Sequence, residues 1–89
     1  MSQEEAIDQF SNIAGVTIDE FKGKSRKETL TIARQCYMKY LVQNTQMSLV
    51  AIGKTINRDH ATVINGIKHI NGLIETKDTL VEPYRALLF

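Results

Sequence analysis

Arg58, Asp59, His60 and Thr62 stand within five consecutive residues of this 89-residue chain. They offer a guanidinium, a carboxylate, an imidazole and a hydroxyl, and a packed core has no call for such a cluster. The edges of bases do. Arg58 can bond guanine or a phosphate. Asp59 can accept from a cytosine amino group or serve only as a helix cap. His60 can bond a guanine or thymine edge, and Thr62 adds a methyl suited to the thymine methyl. At the start of a helix, free N–H groups and a partial positive charge already favour phosphate, so these side chains there fit a DNA groove.

Other chemistries find less support. His60 and His69 lie too far apart for a metal pair, and no Cys or carboxylate cluster joins them, so no metal is expected. Gly53-Lys54-Thr55 matches only the end of a phosphate-binding loop, without its upstream glycine or preceding strand. Cys36, the single cysteine, excludes an internal disulfide and fits a reducing cytoplasm. It sits in an apolar helical pattern and reads as a small buried hydrophobe rather than a reactive thiol. The expectation is a protein without enzymatic activity, cofactor or small-molecule substrate.

The elements that must position the cluster are helical. Ser2 with Glu5, Thr17 with Glu20 and Ser25 with Glu28 each have the spacing of a capping box. Behind the first, Ile7, Phe10, Ile13 and Ala14 form an apolar stripe ending at Gly15. The second opens a short helix that stops near Gly23. The third leads into a long helix from about Glu28 to Asn44. Its inner face is expected to be Ala33, Cys36, Tyr37, Tyr40 and Leu41, and its outer face Arg34, Gln35, Lys39 and Gln43. Ser48 caps the next helix, which buries Leu49, Ile52 and Ile56. Asn57 and Arg58 turn the chain, Asn tolerating the left-handed conformation. Asp59 caps a helix to about Ile74, with Val63, Ile64, Ile67, Ile70 and Ile74 as its apolar face. A last segment from about Asp78 to Leu88 contains Pro83, which begins a helix or kinks one. No apolar run is long enough for a membrane span.

The net charge of +1 conceals segregation. Residues 1–20 carry five acids and no base, whereas residues 21–60 carry eight bases against Glu28 and Asp59. The basic middle third is where an anionic partner would dock.

The run Ser48-Leu49, Ile52-Gly53 and Arg58-Asp59-His60-Ala61-Thr62-Val63 resembles the signature of the C-terminal DNA-binding domain of the bacterial replication initiator DnaA. Ser25-Arg26-Lys27, Ala33-Arg34-Gln35 and Ile67-Lys68-His69-Ile70 are similar to further stretches of that family, so the likeness spans roughly residues 3–88. The resemblance implies an all-α fold of five to six helices (DnaA domain IV, Trp-repressor-like) with a helix-turn-helix in the major groove of a DnaA box. Residues 1–89 then form one domain. Asp59, His60 and Thr62 match residues that read bases. Ala61 stands where a base-contacting Thr is usual, so a hydroxyl is lost and a methyl kept. Arg26 matches an arginine that enters the minor groove. Arg34 and Gln35 match backbone and base contacts, and Leu49 lies at the edge of the site.

Where the chain departs from the family, it carries Val50 for a Pro, Asn57 for a Gly-Gly turn, and fewer bases around Glu28–Ile32 and at Val42. Fewer phosphate contacts are expected, and with them a shallower salt dependence. Lys22, Lys24, Lys27, Arg34, Lys39 and Lys54 are the expected phosphate ligands. With no phosphate-binding loop and an intact start, the chain is expected to be a stand-alone relative from a phage, plasmid or integrated element. The expected partner is double-stranded DNA bound by a monomer, with no membrane and room for a protein partner. The alternative is a protein-interaction module that kept the fold, using the acidic first helix and the apolar end Leu87-Leu88-Phe89.

Overall fold

The computed structural model describes residues 1–89. The chain is all-α: α1 (Gln3–Ala14), α2 (Ile18–Lys22), α3 (Glu28–Asn44), α4 (Leu49–Thr55), α5 (His60–Glu75), a 3₁₀ segment (Thr79–Tyr84) and α6 (Arg85–Leu88). None of these helices is long and apolar enough to cross a membrane.

Capping boxes start two of the helices as expected. The Glu5 amide donates to Ser2 Oγ and the Ser2 amide to Glu5 Oε1, and Thr17 and Glu20 repeat the exchange. Gly15 ends α1 at φ +75°. The third box does not form. Lys27 precedes α3 without a side-chain cap, and Ser25 Oγ receives only a long bond, 3.4 Å, from the Lys27 amide. The reason lies elsewhere in the fold: Arg34 Nη1 binds the Ser25 carbonyl at 2.6 Å and holds the chain out of helix up to Lys27.

α3 is the central element, packed by α1 and α5, with the 3₁₀ segment and α6 against it. The expected inner face is buried, and Leu30, Ile32 and Met38 join it because the helix is covered on more than one side. Phe10 organises the aromatic core. Its ring stacks on Tyr84 at 5.7 Å and meets Tyr37 and Tyr40 at 6.0 and 5.8 Å. Ile13, expected in the α1 stripe, is exposed, and Ala6 is buried in its place. The Tyr37 hydroxyl accepts from Gln3 Nε2 at 2.9 Å and lies 2.7 Å from Thr55 Oγ1. The single hydroxyl proton of Thr55 goes to the Ile52 carbonyl, so Tyr37 is the donor of that pair. One side chain of α3 thus ties α1 to α4. Cys36 is buried as expected, and burial pushes its thiol up to about 12.

The end of the chain belongs mostly to the core. Pro83 lies within the 3₁₀ segment, whose start Asp78 caps by accepting from the Leu80 amide. Leu88 is buried and Leu87 half-buried, so only Phe89 of the expected apolar end is free, beneath the Arg85 guanidinium.

Glu5, Glu20 and Asp59 accept the backbone N–H groups of Ser2, Thr17 and Thr62 respectively, which holds all three carboxyls below their ordinary range. A carboxyl depressed by folding contributes stability above its unfolded pKa, about 4, and loses it as pH falls through the folded value. Tm is therefore expected to drop as pH is lowered from about 5 to about 3. The drop should be smaller in the Glu5→Gln, Glu20→Gln, Asp59→Asn triple variant. Parallel Tm-versus-pH curves would locate the acid sensitivity elsewhere.

Candidate nucleic-acid interface

The cluster singled out in the sequence lies where α4 turns into α5. Ser48 caps α4 by accepting from the Ala51 amide at 3.1 Å. The turn closes with the Ile56 and Arg58 amides both on the Gly53 carbonyl, at 3.0 and 2.8 Å. Gly53 is required here, because a Cβ at that position would collide with the Arg58 carbonyl oxygen. Asn57 takes the left-handed conformation, φ +58°, as its side chain permits. Asp59 Oδ1 then caps α5 by accepting from the Thr62 amide at 2.8 Å. Ile52, Ile56, Val63 and Ile70 anchor both helices in the core. Asp59, His60, Ala61 and Thr62 are left exposed around the first turn of α5, with Lys54 and Val50 exposed on α4 and Leu49 half-buried.

Arg34 corrects the sequence-based expectation. Helical spacing puts it on the outer face of the long helix, but it is buried, with 4% of its surface exposed. Its Nε donates to the Phe21 carbonyl at 2.7 Å, Nη1 to Ser25 at 2.6 Å, and Nη2 to Glu20 and Gly23 at 3.1 Å each. These oxygens belong to the end of α2 and the loop after it, where carbonyls lack helical partners and carry partial negative charge. Arg58 adds to the same end. Its Nη2 donates to the Gly23 carbonyl at 2.6 Å and its Nη1 to Ile56 at 2.8 Å, with a longer bond to Lys22 at 3.4 Å. Burial, then the neighbouring Arg58 charge, lowers the Arg34 pKa, yet a guanidinium stays protonated. Two cations therefore share one helix end, held by carbonyl dipoles rather than carboxylates.

Around them lies a groove of about 430 Å³ between the loop after α2, the start of α3, the turn and α5. Lys24, Arg26, Arg34 and Arg58 line it with no carboxylate among the lining residues, and Ser25, Thr31, Gln35, Met38, Asn57 and Thr62 complete the wall. Of the expected site residues, Arg26, Arg34, Gln35, Arg58 and Thr62 meet here. Lys27, Leu49, Lys54, Asp59, His60 and Ala61 lie outside the groove wall. Lys39, an expected phosphate ligand, is half-buried and donates to Asn71 Oδ1 at 2.6 Å. Thr31 and Met38 carry no signal in the sequence that would have singled them out. His69, too distant from His60 to pair with it on a metal, has Nδ1 2.6 Å from Gln35 Oε1.

The chain matches known proteins along its sequence. The family described as "Bacterial dnaA protein helix-turn-helix" matches residues 4–70. The chromosomal replication initiator protein DnaA of Desulfotalea psychrophila is 38% identical over 55 residues. That alignment covers 62% of this chain and 12% of the relative's length.

Removing Arg34 takes its donors from the Phe21 and Ser25 carbonyls, while Gly23 keeps Arg58 and Glu20 keeps the Gly23 amide. Arg34→Ala is expected to cost about 2–4 kcal/mol in denaturant unfolding. Arg34→Lys should recover little, because an ammonium lacks the fork that reaches several carbonyls at once. Gly53→Ala should cost about 1–3 kcal/mol through forced separation of the turn, whereas exposed Arg26→Ala should stay within about 0.5 kcal/mol. An Arg34→Ala protein as stable as the wild type would mean that the clamp contributes nothing to folding.

Proposed function

Since this chain belongs to the bacterial DnaA helix-turn-helix family, we propose that residues 1–89 act as one module that binds double-stranded DNA sequence-specifically at DnaA-box-like sites, in replication initiation or its regulation. The module carries no catalytic step of its own. The observation that supports this most is the juxtaposition of an exposed, well-capped start of α5 with a groove lined by four cations and no acid.

In this reading α5 enters the major groove by its first turn. His60 and Thr62 bond base edges, and the Ala61 methyl meets a thymine methyl. Asp59 works as cap through Oδ1, and its other carboxylate oxygen is free for a cytosine amino group. Leu49 borders the contact. Arg26 reaches the neighbouring minor groove from the loop that Arg34 and Arg58 immobilise. Lys24, Lys27 and Lys54 bind phosphates. Arg34 and Arg58 contribute positive potential to the groove while their donors serve the fold. Each phosphate neutralised adds about 0.9 to the salt slope, so a module with few lysine contacts has a modest one.

Fluorescence anisotropy at two salt concentrations, with a DnaA-box duplex and a scrambled one, tests this. Expected is preference for the box and affinity that falls with salt on both. His60→Ala should lose about 1–3 kcal/mol on the box and little on the scrambled duplex. Arg26→Ala should weaken preference for A·T-rich flanks. No binding to either duplex at low salt would overturn the proposal in favour of a protein-interaction role.

A further inference from the structure

We infer that His69 is a positioning residue: it holds Gln35 so that the amide nitrogen of that side chain is the end presented to a DNA backbone phosphate. This rests on the DNA-binding reading above and goes beyond it in assigning work to a residue far from the recognition turn.

Gln35 on α3 lines the cation-rich groove beside Lys24, Arg26 and Arg58. Its Oε1 lies 2.6 Å from Nδ1 of His69, which sits 34 residues later on α5. An amide oxygen only accepts, so His69 must donate, and Nδ1 carries the proton. Gly66 gives the side chain its path. A Cβ at that position would lie 3.2 Å from Gln35 Cγ and 3.1 Å from Met38 Sδ, tighter than such contacts allow without movement.

The consequence is chemical. The two ends of a glutamine amide are nearly the same size but opposite in sense. With Oε1 occupied, Nε2 keeps two N–H donors that have no protein acceptor. Phosphate oxygens are acceptors only, so a fixed donor end is favourable and a freely flipping amide spends part of its time presenting an oxygen to an anion. Holding the amide also removes rotamer freedom that binding would otherwise have to remove.

A double-mutant cycle tests the assignment by anisotropy at one fixed salt concentration, on a DnaA-box duplex and a scrambled duplex. His69→Ala is expected to weaken binding about three- to tenfold, equally on both duplexes because phosphates carry no sequence. In a Gln35→Ala background the same change should cost under about twofold, since the residue it positions is gone. His69→Asn, whose amide nitrogen can take the place of Nδ1, should restore most of the loss. His69 is exposed, so unaltered Tm is expected in each His69 variant relative to its own background, which keeps the cycle clean. Equal costs of His69→Ala in both backgrounds, or wild-type affinity of His69→Ala, would overturn the inference while leaving DNA binding intact. Failure of the wild-type chain to bind either duplex would overturn the DNA-binding reading and this inference with it.

Discussion

The carbonyl oxygens at the end of α2 need donors, and two arginines from distant parts of the chain supply them. A helix of five residues has little stability of its own. Arg34 reaches it from α3 and Arg58 from the turn before α5, and both donate to the Gly23 carbonyl. Through that shared acceptor, the basic loop, the central helix and the helix-turn-helix become one rigid piece. The choice of acceptor also matters electrically. Carboxylate partners would have cancelled the arginine charges, whereas carbonyl dipoles hold them and leave the net charge in place. The groove keeps its positive potential because the groups that built it are neutral.

The turn between α4 and α5 is specified more locally. Gly53 admits the Arg58 carbonyl, Asn57 accepts the left-handed conformation, and Asp59 closes the first turn of α5. Each solves one steric or hydrogen-bonding problem within a few residues. Arg58 is the exception, since it sits in this local motif while its guanidinium looks outward to Lys22 and Gly23. It couples the turn to the loop that carries Lys24 and Arg26, so the two halves of the proposed interface keep a fixed separation. Pre-set spacing lowers the ordering cost of binding two grooves at once.

This division explains what was legible in the sequence. The boxes at Ser2/Glu5 and Thr17/Glu20, the Asn57 turn and the Asp59 cap are interactions between near neighbours in the chain, and their spacing alone announces them. Ser25 with Glu28 has the same spacing and fails, because a partner nine residues on, Arg34, draws the Ser25 carbonyl away. Arg34 itself has the look of a surface cation, since its acceptors lie 9–14 residues upstream and are backbone atoms without a residue-type signature. His69 is opaque because its partner, the Gln35 side chain, lies 34 residues upstream. Helical period identifies Phe10, Tyr37 and Ile70 as core, but not the exposure of Ile13, whose face of α1 is left uncovered.

In the proposed reading, specificity depends on which side chains the fold leaves unused. His60 and Ala61 are exposed at the first turn of α5, and Val50 is half exposed on α4. Folding places no demand on their identity beyond helix propensity. Arg34, Arg58, Gly53 and Asn57 are held by geometry in which replacement costs stability. The Ala61 and Val50 departures from the DnaA pattern therefore sit on the permissive surface, whereas the Asn57 departure falls at a position where the left-handed backbone still restricts the choice of residue. In the proposed reading, such a chain would shift which bases it prefers by substitution at the tip of α5. Its cationic groove, and with it the sequence-independent part of the proposed affinity, would stay as the two arginines set it.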